Sequence, residues 1–518
     1  MSDNEKKYYI TTPIYYVNDL PHIGHVYTSV ACDVLARFKR LDGYSVHFLS
    51  GTDEHGQKVS EKAAEMGVPT QEYTDKISDS FRGMSKVFLF SNDDFIRTTE
   101  KRHQTSAQHL WNRMVENDQI YLGSYSGWYA VRDEAYYTES ELVKGDDGQL
   151  YNPTSGAAVE WVEEPSYFFK LSEWQAPLLK FYDENPNFIA PASRRNEVLS
   201  FVKGGLNDLS VSRTTFDWGV PVPDADGHVM YVWVDALTNY ITALGYPETD
   251  SEMFKNYWPA DMHMVGKDIL RFHAVYWPAM LMAAKLQPPK RVYAHGWWTN
   301  EGQKISKSLG NVIDPFELEK TFGVDALRYF LMREVPFGQD GDFSRDAMIR
   351  RCNTDLSNDF GNLAQRVLSM IQRNCEATVP ESSSYSSADM ELLQKAHTLI
   401  ESIRPLLDQQ AFDKALRLIW SLIAEGNKYI DAQAPWTLKK TDTERMKTVL
   451  ATLVELLRCV AILTLPFTPT ASEQLLDQLA IPEENRTFEH LVLKYSLEPG
   501  TLLPVPSGLF PRYVEEAA

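Results

Sequence analysis

Val26, Val30, Val34 and Phe38 recur at every fourth residue, a spacing that gathers apolar side chains on one helical face. Just before them, residues 8–25 (YYITTPIYYVNDLPHIGH) read as a short apolar strand, a turn built from Asn18, Asp19 and Pro21, and the start of that helix. Residues 45–50 (SVHFLS) predict a second strand ending in GTDEHG at 51–56. Residues 121–137 are aromatic and punctuated by glycine, 144–149 (KGDDGQ) read as a turn, and 161–169 as another strand. A strand giving way to a turn at Gly266 is expected within 263–273, and a last strand within 292–300. Beyond Phe330 the alternation of strands and helices stops. A helical region begins at 346–373, and Leu416, Ile419, Trp420 and Ile423, like Leu450, Leu453, Val454 and Leu457, follow the i, i+3, i+4, i+7 pattern of bundle helices. Thr441 with Glu444 predicts a capping box ahead of the second of these.

This order of elements places several polar groups where ligands gather. A strand that delivers His22, Gly24 and His25 to a helix N-terminus suits an anion, because free N–H groups and the positive end of the helix dipole converge there. Gly24 has no Cβ, so a flat ring could lie on its backbone. Asp53, Glu54 and His55 follow a strand, at the end where open α/β sheets bind ligands. Gly266 permits close backbone approach, and Asp268 can accept hydrogen bonds from ribose hydroxyls. Residues 304–308 (KISKS) carry Lys304 and Lys307 between Gly302 and Gly310, as a movable basic loop would require, and two ammonium groups can neutralise a pyrophosphate. Trp233 and Tyr240 lie seven residues apart, close enough in phase to share a helical face. Each group has a simpler reading by itself: capping for the histidines, a turn with a cap at Thr52 or Asp53, core packing for the aromatics, solvent for the lysines.

Composition narrows the class. The chain has 518 residues, 43% apolar and 24% charged, enough for about two to four domains of an ordinary water-soluble protein. A formal net charge of −20 disfavours unspecific contact with nucleic acid, so any RNA partner requires basic residues gathered locally; residues 345–373 hold five arginines against three aspartates. Cys32, Cys352, Cys375 and Cys459 form no C-x-x-C pair, which points to a reducing compartment and to neither a disulfide framework nor a cysteine zinc site. The polar start MSDNEKK lacks the apolar core of a signal peptide, and no run of about eighteen apolar residues exists, so a cytoplasmic protein is expected.

HIGH at 22–25 together with KISKS at 304–308 resembles the paired signatures of class I aminoacyl-tRNA synthetases, and the phrases GTDEHGQK and YVWVDALTNY resemble the methionyl-tRNA synthetase family within them. The resemblance spans nearly the whole chain. It implies an α/β Rossmann-like nucleotide-binding catalytic domain with an inserted connective module, followed by an all-α helix-bundle anticodon-binding domain. The expected boundaries are 1–116 and 211–330 for the two catalytic halves, 117–210 for the module, 331–360 for a segment contacting the tRNA stem, and 361–518 for the bundle and tail. His22, His25, Lys304 and Lys307 would be catalytic, and with Gly24, Gly266 and Asp268 would bind ATP. Asp53 would hold the substrate amino group, and Pro13, Ile14, Tyr16, Trp233, Ala236, Leu237, Tyr240, Ile269 and His273 would form the rest of a methionine site. Asn362, Arg366 and Trp436 would read the anticodon. Mg2+ is implied as the companion of ATP.

Two departures accompany the resemblance. Where many relatives carry a zinc knuckle, this chain has 130–133 (AVRD) and 152–156 (NPTSG), so every expected metal ligand is replaced and no zinc is expected. The short tail lacks an appended dimerisation domain, which implies a monomer. Three other readings compete. Another class I synthetase would need the large editing insertion of the branched-chain enzymes or the zinc thiolates of the cysteine enzyme. A small-molecule nucleotidyltransferase would leave the helical region without a role. A catalytically dead RNA-binding relative would not need the four signature histidines and lysines.

Overall fold

The computed structural model describes residues 6–304 and 313–514. At its centre Lys7–Thr11 pairs with Ser45–Asp53, which pairs in turn with Asp94–Arg97. On the other side of Lys7–Thr11 come Met262–Gly266, Val292–His295 and Ile189–Ala190, and every one of these pairings is parallel. The strand order therefore reverses between Lys7–Thr11 and Met262–Gly266, and a crevice opens at their carboxyl ends where such sheets bind ligands. Tyr15–Tyr16 prolongs the line of the first strand, with Tyr16 beside Asp53.

The every-fourth-residue series of the helix Ile23–Leu41 is buried as expected, but so are Tyr27, Ala31 and Leu35 on its other sides. The cause is enclosure: the sheet covers one flank, and the C-terminal part of the chain covers another, where the Phe38 and Phe488 rings meet at 4.8 Å. The second strand runs to Asp53, so Gly51–Asp53 are strand and not turn. The next helix, Gln57–Glu65, starts after Gly56 with no side-chain cap, so neither Thr52 nor Asp53 is a capping residue.

Within 117–210, Ile120–Ala130 and Glu160–Phe169 form a long antiparallel hairpin, completed by Ala135–Tyr137 and Leu209–Ser210. The span is not a separate body, because Ile189–Ala190 returns to the edge of the parallel sheet. At the hairpin tip, Trp128 meets Trp161 edge-on at 5.1 Å over a small cluster of Ala130, Ala157 and Val159. The positions matched to a zinc knuckle are joined by hydrogen bonds: the Asp133 carboxylate accepts from Tyr137 Oη (3.2 Å), Asn152 Nδ2 (3.2 Å) and the Ser155 hydroxyl. Oxygen and amide groups already partnered to one another do not fit a tetrahedral thiolate–imidazole site.

One strand does lie beyond Phe330: Gly341–Phe343 pairs parallel with Trp298–Asn300, which pairs antiparallel with Gln303–Lys304. Helix follows almost without interruption over 345–374. Its middle, 351–361, has widened turns, and Trp420 Nε1 and Asn427 Nδ2 donate to the Asp355 and Asp359 carbonyls there (3.0 Å each), so side chains of a neighbouring helix satisfy backbone groups in the irregular stretch. Ser387–Asp408, Phe412–Gln433, Thr443–Thr464 and Pro469–Gln478 complete the bundle. Thr441 does not cap the third of these. It ends the short helix Pro435–Thr441, and Asp442 is the cap, accepting from Arg445 N at 2.9 Å. Bundle and sheet share one apolar cluster running from Ile10 and Val30 to Leu416 and Leu476. No helix among the described residues is long and apolar enough to cross a membrane.

Candidate active site

A cavity of about 550 Å³ opens at the point where the strand order reverses. Its floor is formed just past the carboxyl end of the first strand by Pro13, Ile14, Tyr15 and Tyr16. The helix Ile23–Leu41 enters with His22, Gly24 and His25, and Asp53 comes from the end of the second strand. Val232–Thr242 contributes Trp233, Ala236, Leu237 and Tyr240 from one helical face, and Gly266, Asp268, Ile269 and His273 come from the end of the strand Met262–Gly266 and the turns after it. Every residue expected for the amino acid, together with the histidines, glycines and aspartate expected for ATP, thus lines one space. Lys304 is described as part of the short strand Gln303–Lys304, which pairs with the strand beginning directly after the cavity residue Trp297; Lys307 lies outside the described residues.

The two histidines both cap the helix and line the cavity. His22 Nδ1 accepts from Gly24 N and His25 Nδ1 accepts from His22 N, each at 3.1 Å, and the rings stack 3.8 Å apart. With both Nδ1 atoms accepting, a neutral imidazole carries its proton on Nε2 and is a donor there. Burial, reinforced by His22, holds the His25 pKa well below its ordinary value, so His25 is neutral at pH 7. The flat ring that lies on Gly24 is His22's own imidazole: a Cβ at Gly24 would stand 2.9 Å from His22 Cε1.

Asp53 is 8% exposed, and its Oδ1 is buried without a hydrogen-bond partner. Burial, followed by repulsion from Asp235, Glu134 and Glu54, raises its pKa well above the carboxylate range. Its sequence neighbours are committed elsewhere. Glu54 holds Arg97 through two bonds of 2.6 and 3.0 Å, and His55 bonds Asp235 at 2.6 Å, which also bonds His103 at 2.6 Å. Burial would raise Asp235, but the two histidines outweigh it and hold the carboxyl at about 2. Asp53 is left as an uncompensated acid facing the cavity, a group that an ammonium ion would neutralise.

The deeper part is apolar and aromatic. Trp233 stacks on Phe272 at 3.8 Å, and Tyr240 stacks on His263 at 4.0 Å. His273 Nδ1 donates to the Ile269 carbonyl at 2.9 Å, and burial lowers its pKa to about 4, so its neutral Nε2 accepts from Tyr240 Oη at 2.7 Å. Asp268 accepts from Trp297 Nε1 at 3.1 Å, and a Cβ at Gly266 would stand 2.5 Å from the Asp268 carboxylate. His295 bonds Thr28 Oγ1 at 2.7 Å. Far from this cavity, Trp436 is 41% exposed, the Arg366 guanidinium lies 5.2 Å from its ring centre, and Asn362 is exposed one helical turn before Arg366.

Sequence reasoning missed several cavity residues. His295 and Trp297 were within reach of it, since His295 ends the last parallel strand of the sheet and Trp297 follows two residues later, and Phe272 adjoins His273. Arg132, Asp133, Glu134, Asn152 and Ser155 were not, because the hairpin folds back over the crevice and no local pattern encodes that return.

A doubly wound parallel sheet with two stacked histidines at its switch point and a helical bundle behind it defines a class I aminoacyl-tRNA synthetase. Residues 8–368 match the family described as "tRNA synthetases class I (M)", and 379–518 match "Anticodon binding domain of methionyl tRNA ligase". Methionine--tRNA ligase of Brucella suis is 56% identical over 512 residues, 99% of either chain, and that of Rickettsia conorii is 56% identical over 509 residues, 98% of this chain and 99% of the relative. The structure of Mycobacterium tuberculosis methionyl-tRNA synthetase in complex with methionyl-adenylate is similar at 51% identity and a TM-score of 0.96, covering 98% of this chain and all of that one. The chain belongs to the methionyl-tRNA synthetase family.

Proposed function

We propose that the chain catalyses ATP-dependent activation of methionine and transfer of the methionyl group to the 3′ end of tRNA(Met). The observation that carries the chemistry is the Asp53 carboxylate, one oxygen of which is buried without a hydrogen-bond partner, lining the same cavity as the aromatic side chains and the two capping histidines. The ammonium of methionine neutralises Asp53. The side chain packs among Trp233, Ala236, Leu237 and Tyr240, where a flexible, polarizable thioether meets aromatic surfaces. The carboxylate then attacks the α-phosphorus of ATP, and pyrophosphate leaves. A carboxylate is already anionic, so the step needs positioning and charge stabilisation in place of an activated side-chain nucleophile. His22 and His25 donate from Nε2 to the phosphates, Lys304 and Lys307 neutralise the leaving pyrophosphate, and Gly266 and Asp268 hold the ribose. In the second step the terminal ribose hydroxyl of tRNA attacks the acyl carbon, and AMP leaves. The likeness to the Mycobacterium tuberculosis enzyme in complex with methionyl-adenylate supports the same intermediate here.

ATP enters as its Mg2+ complex. The proposed enzyme needs no zinc, in keeping with the mutually bonded Asp133, Asn152 and Ser155, and it works as a cytoplasmic monomer. Trp436, with Arg366 and Asn362, stacks on and reads the anticodon. Pyrophosphate exchange into ATP tests the assignment: methionine is expected to drive it, and exchange driven by leucine or cysteine but not methionine would overturn it. Trp436→Ala is expected to reduce tRNA charging by roughly 10- to 100-fold, the worth of one base–aromatic stack, while exchange stays near wild type. Equal losses in both assays would mark Trp436 as structural.

A further inference from the structure

We propose that Glu134 is a positioning residue for the amino acid, a carboxylate from the inserted hairpin that holds Tyr16 in place beside Asp53. The inference rests on the methionine reading of the cavity and goes beyond it by assigning the hairpin a part in substrate affinity. Glu134 is 5% exposed and reaches the cavity from a segment more than a hundred residues away in sequence from Tyr16. Tyr16 Oη donates to Glu134 Oε1 at 3.0 Å, and the hydroxyl of Tyr129 donates to the other carboxylate oxygen. Lys58 N stands 3.5 Å from Oε1, and Tyr231 Oη donates to the Glu134 carbonyl at 2.7 Å.

The backbone of Glu134 lies in the left-handed region, with φ +47°, a conformation that L residues other than asparagine and aspartate seldom adopt. Four partners therefore hold a strained residue at one spot. Gly56, the last glycine of GTDEHG, makes room for it: a Cβ there would stand 2.9 Å from Tyr16 Oη and 3.0 Å from Glu134 Oε1. Tyr16 and Asp53 are neighbours in register on adjacent parallel strands. Two acids thus reach the same corner with different duties. Both Glu134 oxygens are occupied by tyrosine hydroxyls, whereas Asp53 keeps an unpartnered oxygen for the ammonium. Burial raises the Glu134 pKa, and the tyrosine hydroxyls partly offset that rise.

Steady-state pyrophosphate exchange with separate variation of methionine and ATP tests the assignment. Wild-type exchange driven by methionine checks the underlying reading on its own. Glu134→Ala is then expected to raise KM for methionine about tenfold, the worth of one hydrogen bond to a charged group, with KM for ATP within about twofold. Glu134→Gln keeps one acceptor oxygen and should recover most of the loss. Tyr16→Phe removes the same bond from the other side without touching the hairpin, so it serves if the alanine variant does not fold. The double variant Tyr16→Phe/Glu134→Ala should raise the methionine KM no further than the worse of the two single variants, because partners acting through one bond are not additive. Equal changes in both KM values, an unchanged methionine KM in folded protein, or additive losses in the double variant would each overturn the proposal.

Discussion

Under the proposed function, Asp53 is a single side chain kept for the substrate ammonium at the expense of the fold. Its raised pKa means that the folded protein holds a proton the unfolded chain releases, so stability falls as pH rises from the ordinary carboxyl range towards the raised value. Asp53→Asn is expected to raise the thermal midpoint, with about 1–3 kcal/mol regained from an uncompensated buried group, and to weaken methionine binding by roughly 10- to 100-fold. Calorimetry in buffers of different ionisation heat should detect proton release when methionine binds to wild type, and affinity should improve with pH until the amine itself deprotonates. A destabilised Asp53→Asn variant with intact affinity would count against this assignment. Gly24 makes a second residue-level case. Its backbone tolerates alanine, but the added Cβ would displace the His22 ring, so Gly24→Ala should slow exchange by roughly a hundredfold, the effect of a small misplacement at a reacting centre, with an unchanged melting temperature.

Among the elements, the inserted hairpin departs most from the pattern its sequence evokes. Its aromatic residues predict a tip held by ring packing, and Trp128 with Trp161 does so, but the Asp133 cluster adds a polar clasp at the positions that the family resemblance matches to a zinc knuckle. Chelation by EDTA, with Mg2+ restored for the assay, is therefore expected to leave the thermal midpoint and exchange unchanged. Asp133→Ala, which strips three donors of their acceptor, should accelerate proteolysis within 130–158. A chelator-induced loss of stability would contradict the metal-free reading. The first helix carries a different lesson: its repeat forecast one buried face, and the chain placed against its remaining sides decided how much more would be buried.

At the scale of the whole molecule, Arg328 ties the catalytic sheet to the bundle. Fully buried, it bonds Asp33 at 2.6 Å, the Phe88 carbonyl at 3.0 Å, and the Pro466 and Phe467 carbonyls at 2.8 and 3.2 Å. Burial opposes the charge on Asp33, but Arg328 and Arg37 outweigh it and keep its pKa below the usual range. That contribution is present above the unfolded carboxyl's pKa and is lost as pH falls through the lowered folded value. Asp33→Asn strands a buried guanidinium and should cost about 3–5 kcal/mol in urea unfolding, with catalytic and bundle signals shifting together. Separate transitions would show that the clamp does not couple them.

Periodicity and motif chemistry determined the alternating first part, the helical second part, and the placing of His22, Gly24, His25, Asp53, Gly266 and Asp268 at strand ends, whereas Pro13, Ile14, Tyr16, Ile269 and His273 followed only from the family resemblance. Those features depend on local repeat and on short phrases whose chemistry travels with them. The strand at Gly341–Phe343, the return of Ile189–Ala190 to the sheet and the approach of Glu134 to Tyr16 were decided only by tertiary structure. Each depends on what a distant segment leaves unpaired or uncovered, and no window along the chain contains both partners.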